Sequence, residues 1–422
     1  MLDIRFIRDH REAVIEGVRK KYEDPANVDG AIQLDEQRRV LLQKSEALKS
    51  RKNTVSALVA KMKSKGEDAN SVIAEMKTVA DEIKSLDGRL KEVERRLHEV
   101  LLQIPNIPHL SVPIGRTPAE NQIVATHGEV PQIDFQPKPH WELVEKLNII
   151  DFGRGAKIAG TGFPTYLDEG AKLERALINF FLDEAVAHGY TEMFPPYLVN
   201  ATSATGTGQL PDKEDQMYVV MQDDLYLIPT AEVPVTNFYR DEILSEKQLP
   251  VKFCAYTACF RREAGSYGKE VRGLNRVHQF NKVELVKFVH PRSSYEELEL
   301  LRQDAERLLQ KLGLQYRVVL MCSGELGFTQ TKKYDLEVWS LGQEQWLEVS
   351  SVSNFEAYQA RRMNIRFRPD GGGKPEIVHT LNGSGLALPR IVAALLEQYQ
   401  TPEGKIIIPK ALHQYTGFHV IG

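Results

Sequence analysis

Between Ala31 and Gln103 apolar residues recur at a helical interval with no proline to interrupt them. In the second half of this stretch Met76, Val79, Ile83, Leu86, Leu90, Val93, Leu97 and Val100 alternate steps of three and four, the apolar seam of a coiled coil. In the first half Leu34, Leu41, Leu48, Val55 and Met62 return every seven positions, with Leu58 and Val59 expected to fill in towards the far end. The polar run Ser64-Lys-Gly-Glu-Asp-Ala-Asn70 separates the halves around Gly66, which predicts an antiparallel helical hairpin. Two helices of about 32 residues, at ~1.5 Å per residue, give an arm of roughly 45 to 50 Å.

The run Gln103-Ile-Pro-Asn-Ile-Pro108 stops the second helix, because proline lacks the backbone donor and restricts the residue before it. This places a boundary near residue 110, with an N-terminal domain over 1–110 carrying the arm and a second domain over 111–422. Past a proline-spaced connector from Pro113 to Pro139, strand-like and helical stretches mix without regular βαβ alternation. The expected fold class is α+β, an antiparallel sheet with flanking helices.

Composition narrows the function. A chain of 422 residues, 42% apolar and 27% charged, reads as globular and multidomain. No apolar run nears the ~20 residues of a membrane helix, and Met1-Leu-Asp-Ile-Arg-Phe-Ile-Arg-Asp-His10 lacks a signal core, so a cytoplasmic location is expected. Cys254, Cys259 and Cys322 do not make a disulfide framework. Cys254 and Cys259 fall on opposite faces of a strand, so buried thiols are expected rather than a shared metal.

Net charge is −4, against a globally basic nucleic-acid binder. Yet from Gln33 to Lys65 nine Lys/Arg face only Asp35, Glu36 and Glu46. The hairpin could be a dimerisation coiled coil with a solvated face; the basic excess on its outgoing helix favours contact with RNA phosphates. Arg38, Lys44, Lys49, Arg51 and Lys52 are the candidates.

Three nucleotide motifs fail. Lys61-Met-Lys-Ser-Lys65 looks like a flexible lysine loop, but it falls at the hairpin tip and has no His-x-Gly-His partner. Neither a G-x-x-x-x-G-K-[ST] loop nor a strand-borne G-x-G-x-x-G exists. In their place, two strand-like runs flank a Gly- and charge-rich loop between Ala258 and Glu284, predicting a hairpin whose ends carry Arg261, Glu263, Arg276, Phe280 and Glu284. Arginine donates bidentately to phosphates, and an aromatic ring stacks on a purine.

These residues resemble the class II aminoacyl-tRNA synthetases, and within them the seryl-tRNA synthetases. Phe260-Arg-x-Glu263 followed by Arg276-x-x-x-Phe280-x-x-x-Glu284 is similar to the second class motif. The first, a long helix and a strand reaching an obligatory proline, is matched by Gly189-Tyr-Thr-Glu-Met-Phe-Pro-Pro-Tyr-Leu198 with Pro196 in the key place. The third is matched by Leu381-Asn-Gly-Ser-Gly-Leu-Ala-Leu-Pro-Arg390, although Leu388-Pro389 replaces the usual small residue before the arginine. Seryl identity rests on Thr230-Ala231-Glu232, Glu348-Val349-Ser350-Ser351, Asn382-Gly-Ser384 and the hairpin itself, so the resemblance spans nearly the whole chain.

The resemblance implies ATP-dependent activation of L-serine and its transfer to the 3′ end of tRNA(Ser), leaving open whether tRNA(Sec) is also charged. It places Arg261 on the α-phosphate and the substrate carboxylate, and Arg390 on the γ-phosphate. Glu348 and Ser351 would hold Mg²⁺, and Glu263, Arg276 and Phe280 the adenine and phosphates, with Arg262, Val277, Val349 and Ser350 beside them. Serine would meet Thr230, Ala231, Glu232, Glu284, Asn382 and Ser384. The loop residues Lys269 and Arg272 would touch the acceptor end of the tRNA, and the protein would be a homodimer. Relatives that load a carrier protein lack a full arm, and a catalytically dead paralogue would not retain Arg261, Glu263, Glu348 and Arg390. Synthetases for threonine or proline would carry an anticodon-binding domain after Arg390, where only Ile391 to Gly422 follow.

Overall fold

The computed structural model describes every residue except 132 and 264–271, and its chain forms two compact units, Met1–Arg19 with Glu23–Pro105, and Lys20–Tyr22 with Asn106–Gly422. The first unit begins with two short helices, α1 (Ile4–Asp9) and α2 (Arg11–Lys20), followed by the long pair α3 (Ala26–Ser64) and α4 (Asn70–Leu102). α3 starts directly after Pro25, earlier than the expected Ala31, and runs through Gly30, whose missing side chain leaves space beside Val100 of α4. The turn holds Gly66 at φ 73°, and Asp68 accepts the Asn70 N–H at 2.9 Å to start the return helix.

Leu34, Leu41, Val79, Ile83, Leu86, Val93 and Leu97 are buried along the seam, as the heptad spacing requires. Leu58 is not part of it: this side chain is 49% exposed, and the neighbouring Val59 takes the inward place. Ser45 replaces an apolar residue at one seam position and donates to Asp87 of α4 at 2.7 Å, which fixes the register of the two helices. Asp35, with no exposed side-chain surface, is held by Arg8 at 3.0 Å, Arg38 at 2.7 Å and Arg39 at 3.2 Å.

The second unit is built on an eight-stranded sheet. In chain order its strands are β1 (Gln122–His127), β2 (Thr191–Glu192), β3 (Val251–Phe260), β4 (Gln279–Val289), β5 (Tyr316–Leu320), β6 (Lys332–Ser340), β7 (Gln345–Asn354) and β8 (His379–Ala387). Their order across the sheet is β1-β5-β6-β7-β8-β4-β3-β2, antiparallel throughout except for the short parallel pair β2–β3. Helices α5 (His140–Leu147), α6 (Asp168–Ala187), α7 (Ser294–Leu312) and α8 (Leu388–Gln398) share one large apolar cluster with the sheet.

Strand alternation sorts the side chains. In β4, Val283 and Leu285 enter the helix-covered core while Phe280, Lys282 and Glu284 line a cavity. In β8, Leu381 joins the core and Asn382 and Ser384 line the cavity. All three cysteines are free and buried. Among the described residues no helix is long and apolar enough to cross a membrane.

Candidate active site

The cavity has a volume of about 700 Å³ and is walled by the strands at the middle of the sheet and the loops above them. β3 and β4 pair in register, Phe260 with Gln279 and Ala255 with Glu284. Glu284 is therefore well inside the strand rather than at its end, whereas Arg261, Glu263 and Arg276 follow or precede the strand ends as expected. Arg261 donates to the Pro229 carbonyl at 3.2 Å, and its guanidinium carbon lies 5.2 Å from the centre of the Phe280 ring. Arg276 donates to Glu263 at 3.2 Å, and Glu263 itself adopts a left-handed backbone with φ 47°.

On the opposite wall a β-bulge decides the geometry. Glu348 and Ser351 are three apart, which in a regular strand would turn them to opposite faces. The pairing of β6 with β7 shifts between Leu336 and Glu337, so that Leu336 opposes Ser350 and Glu337 opposes Glu348, with Val349 as the extra residue. Both residues therefore face the cavity. Ser351 Oγ lies 2.7 Å from Asp335 and 2.9 Å from Glu348, and Lys333 pairs with Asp335 at 3.3 Å. Burial pushes the Asp335 carboxyl up against the pull of Lys333. Lost hydration works against ionisation of Glu348, but Arg390 and Lys333 outweigh it and hold that carboxyl below its usual range. Arg390 is near the start of α8, where Pro389 costs no helical hydrogen bond; its guanidinium donates to the carbonyls of Asn275 at 3.0 Å and Glu348 at 2.7 Å.

The inner end of the cavity is dominated by charge in a nearly dry setting. Glu284 forms an ion pair with Lys282, and both side chains are almost fully buried. Lys282 also donates to Thr230 Oγ1 at 2.8 Å, and Thr230 in turn lies 3.1 Å from Glu284. Glu232 accepts from Gln359 Nε2 at 2.6 Å, and burial, with the nearby Glu284 charge, pushes its carboxyl up to about 7. Ser350 donates to the Ser384 carbonyl at 2.7 Å, tying β7 to β8 beneath the pocket.

Of the residues singled out from the sequence, Thr230, Glu232, Arg261, Glu263, Arg276, Val277, Phe280, Glu284, Glu348, Val349, Ser350, Ser351, Asn382, Ser384 and Arg390 line this one cavity. Ala231 does not: it is fully buried and packs in a separate apolar cluster with Val235, Phe253 and Phe288. Arg262 is exposed and off the wall, because it alternates with its two neighbours. Arg272 lies 4.7 Å from the Trp141 ring outside the cavity lining, and Lys269 lies outside the described residues. In the hairpin, Arg38 is committed to Asp35, Lys49 to Asp87 and Arg51 to Glu75, while Lys44 and Lys52 are exposed and form no ion pair among the described residues.

Sequence reasoning missed Lys282, Lys333 and Asp335. Lys282 was legible, since it falls between Phe280 and Glu284 on the same period-two face. Lys333 and Asp335 carry no local signal, because only strand pairing sets them opposite Ser353 and Ser351.

The description "Seryl-tRNA synthetase N-terminal domain" matches residues 1–108, and "tRNA synthetase class II core domain (G, H, P, S and T)" matches residues 218–399. A serine–tRNA ligase of Salinibacter ruber is 56% identical over 100% of this chain and 99% of its own. The chain belongs to the seryl-tRNA synthetase family. Two crystal structures from this family superpose over its whole length. The enzyme of Pyrococcus horikoshii, solved with ATP, matches with TM-score 0.93 at 37% identity, covering 100% of this chain and 99% of that one. The cytoplasmic serine–tRNA ligase of Naegleria fowleri, solved with AMP, matches with TM-score 0.89 at 28% identity, covering 100% and 98%.

Proposed function

We infer that this member of the family activates L-serine with ATP and transfers it to the 3′ end of tRNA(Ser). The observation that carries the reading is the division of one cavity into two chemistries: an arginine-rich outer wall around Phe280, and a buried inner end with two carboxylates, Glu232 and Glu284. The outer wall suits a nucleotide triphosphate, with Phe280 and Glu263 at the base and Arg261, Arg276 and Arg390 along the phosphates. The inner end suits a small amino acid, its ammonium against a carboxylate and its hydroxyl against Glu284, Thr230 or Ser384. Such a pocket rejects alanine because unpaired buried polar groups would remain, and rejects larger side chains for lack of room.

In the first step a serine carboxylate oxygen attacks the α-phosphorus, the bond from that phosphorus to the bridging oxygen breaks, and pyrophosphate leaves. Arg261 orients both reactants between Pro229 and Phe280, and no protein base is needed because the nucleophile is already ionised. Glu348 and Ser351, brought to one face by the bulge with Asp335 behind them, form a hard-oxygen set of the kind Mg²⁺ takes alongside phosphate oxygens. When bound there, Mg²⁺ would neutralise charge on the phosphates. In the second step the ribose 3′-hydroxyl attacks the seryl carbonyl carbon and AMP departs.

Arm contacts are assigned to Lys44 and Lys52 first, since both are exposed without an ion pair among the described residues, with Lys49 and Arg51 released from exposed pairs that solvent and salt screen. Arg272 and Lys269 are assigned to the acceptor end. We propose a homodimer, supported by the 77% exposure of Phe194 beside Pro195 and Pro196, with Leu198 also exposed close by in sequence. We propose a cytoplasmic location, in keeping with a tRNA substrate.

Serine-dependent exchange of pyrophosphate into ATP, followed by charging of tRNA(Ser) and tRNA(Sec) with and without residues 31–103, tests the reading. No exchange with serine sinks the activation step; equal charging by the shortened chain sinks the role given to the arm.

A further inference from the structure

The nucleotide wall is held from behind by a buried histidine that touches no substrate position. We infer that His140, fixed by Glu397, is a positioning residue that sets the backbone limb Gly273–Asn275 and through it Arg390. This inference rests on the reading of the outer wall as the ATP site.

His140 and Glu397 side chains have no exposed surface, and His140 Nδ1 lies 2.8 Å from Glu397 Oε1. The ring's other nitrogen, Nε2, accepts the Leu274 N–H at 2.9 Å, so the proton is on Nδ1 and is donated to the carboxylate. Contact with the limb is closer than any side chain allows. Gly273 has φ 65°, and a Cβ placed there would come within 2.3 Å of His140 Nε2. Trp141, the next residue on α5, takes Arg272 at 4.7 Å, so the start of this helix grips the limb at successive positions.

Glu397 is not a passive counter-ion. It also accepts the Gly342 N–H at 3.0 Å and Gln343 Nε2 at 3.1 Å, and Gln343 accepts from Asn275 Nδ2 at 2.7 Å. The Asn275 carbonyl then receives Arg390 Nε at 3.0 Å. Arg390 and Glu397 are seven residues apart on α8, two helical turns, and so address the same limb from one helix face. The Leu274 side chain packs into the apolar core, whereas the chain of hydrogen bonds continues through Asn275 to Arg390, both on the cavity wall beside Arg276. Small displacements of such groups matter, since about 1 Å of misplacement costs on the order of 100-fold in rate.

Pyrophosphate exchange measured against ATP and against serine tests the assignment, with the full chain throughout. His140→Ala should raise KM for ATP about tenfold or more, as loss of a charge-assisted phosphate contact from a displaced Arg390 would, while KM for serine stays within about twofold. His140→Gln, which keeps a donor and an acceptor at one planar end, should recover most of the loss. Gly273→Ala drives a methyl group against the His140 ring and so parts ring and limb whichever of the two yields; it keeps both His140 and Glu397, should give the same ATP-selective defect, and also decides the matter if His140→Ala does not fold. The assignment is overturned if Gly273→Ala binds ATP normally, if both Michaelis constants rise together in His140→Ala, or if His140→Gln is no better than His140→Ala. Failure of the unsubstituted protein to exchange at all would refute the ATP site itself, a separate result.

Discussion

Lys282→Met removes a positive charge from the driest part of the cavity and has two separable consequences. Lys282 and Glu284 side chains retain 7% and 2% of their exposure, so little water surface is available to compensate for the lost ammonium. Breaking a buried pair by removing one partner costs about 3–5 kcal/mol, because the remaining charge stays buried and unpaired. Lys282 is one of the charges that hold the Glu232 carboxyl down, so its loss pushes that carboxyl up further beside Glu284. One charge-assisted bond to the serine ammonium would be lost, about 1.5–3 kcal/mol, which corresponds to about 10- to 150-fold in KM for serine. Urea unfolding measures the first effect, and pyrophosphate exchange the second, with KM for ATP as the internal control. Lys282→Met/Glu284→Gln should restore most of the stability, since no charge is stranded, yet leave serine activation impaired. A single variant within about 1 kcal/mol of the parent in stability, with an unchanged KM for serine, would refute the reasoning.

Further outcomes follow from neighbouring groups. Glu232, pushed up to about 7, keeps its proton in the folded chain over the window from the ordinary carboxylate value to about 7, so its contribution to stability falls as pH rises through that window. The serine ammonium needs the ionised form, so KM for serine should increase as pH drops below about 7, and Glu232→Gln should abolish that slope; a slope unchanged in Glu232→Gln rejects the assignment. Glu348→Gln should shift the Mg²⁺ dependence of exchange to higher concentration, and an unaltered titration would remove Glu348 from the metal site. Lys44→Glu/Lys52→Glu should depress tRNA charging and leave exchange intact, whereas Arg38→Ala should chiefly loosen the first unit, because Arg38 neutralises the buried Asp35; the reverse pattern would reverse these roles.

The hairpin was legible because its seam is local: heptad spacing and a polar turn specify two helices regardless of what surrounds them. Even there, the start of α3 lay outside the apolar periodicity, which begins at Ala31, whereas the helix begins at Ala26 and runs through Gly30. The class II motifs likewise announced their strands and their arginines. What sequence could not determine was parity and pairing. Glu348 and Ser351 reach one face only because Val349 bulges against β6, and the bulge is a property of two paired strands rather than of either one. Asp335 and Lys333 enter the site through that same pairing, and His140 reaches the limb at Leu274 across more than a hundred residues of chain. Residue types and their local periodicity were fixed by the chain alone. Which of those residues share a dry cavity, and hence which carboxylates resist ionisation, was decided by strand register and burial, because desolvation and charge proximity exist only after distant segments are packed together.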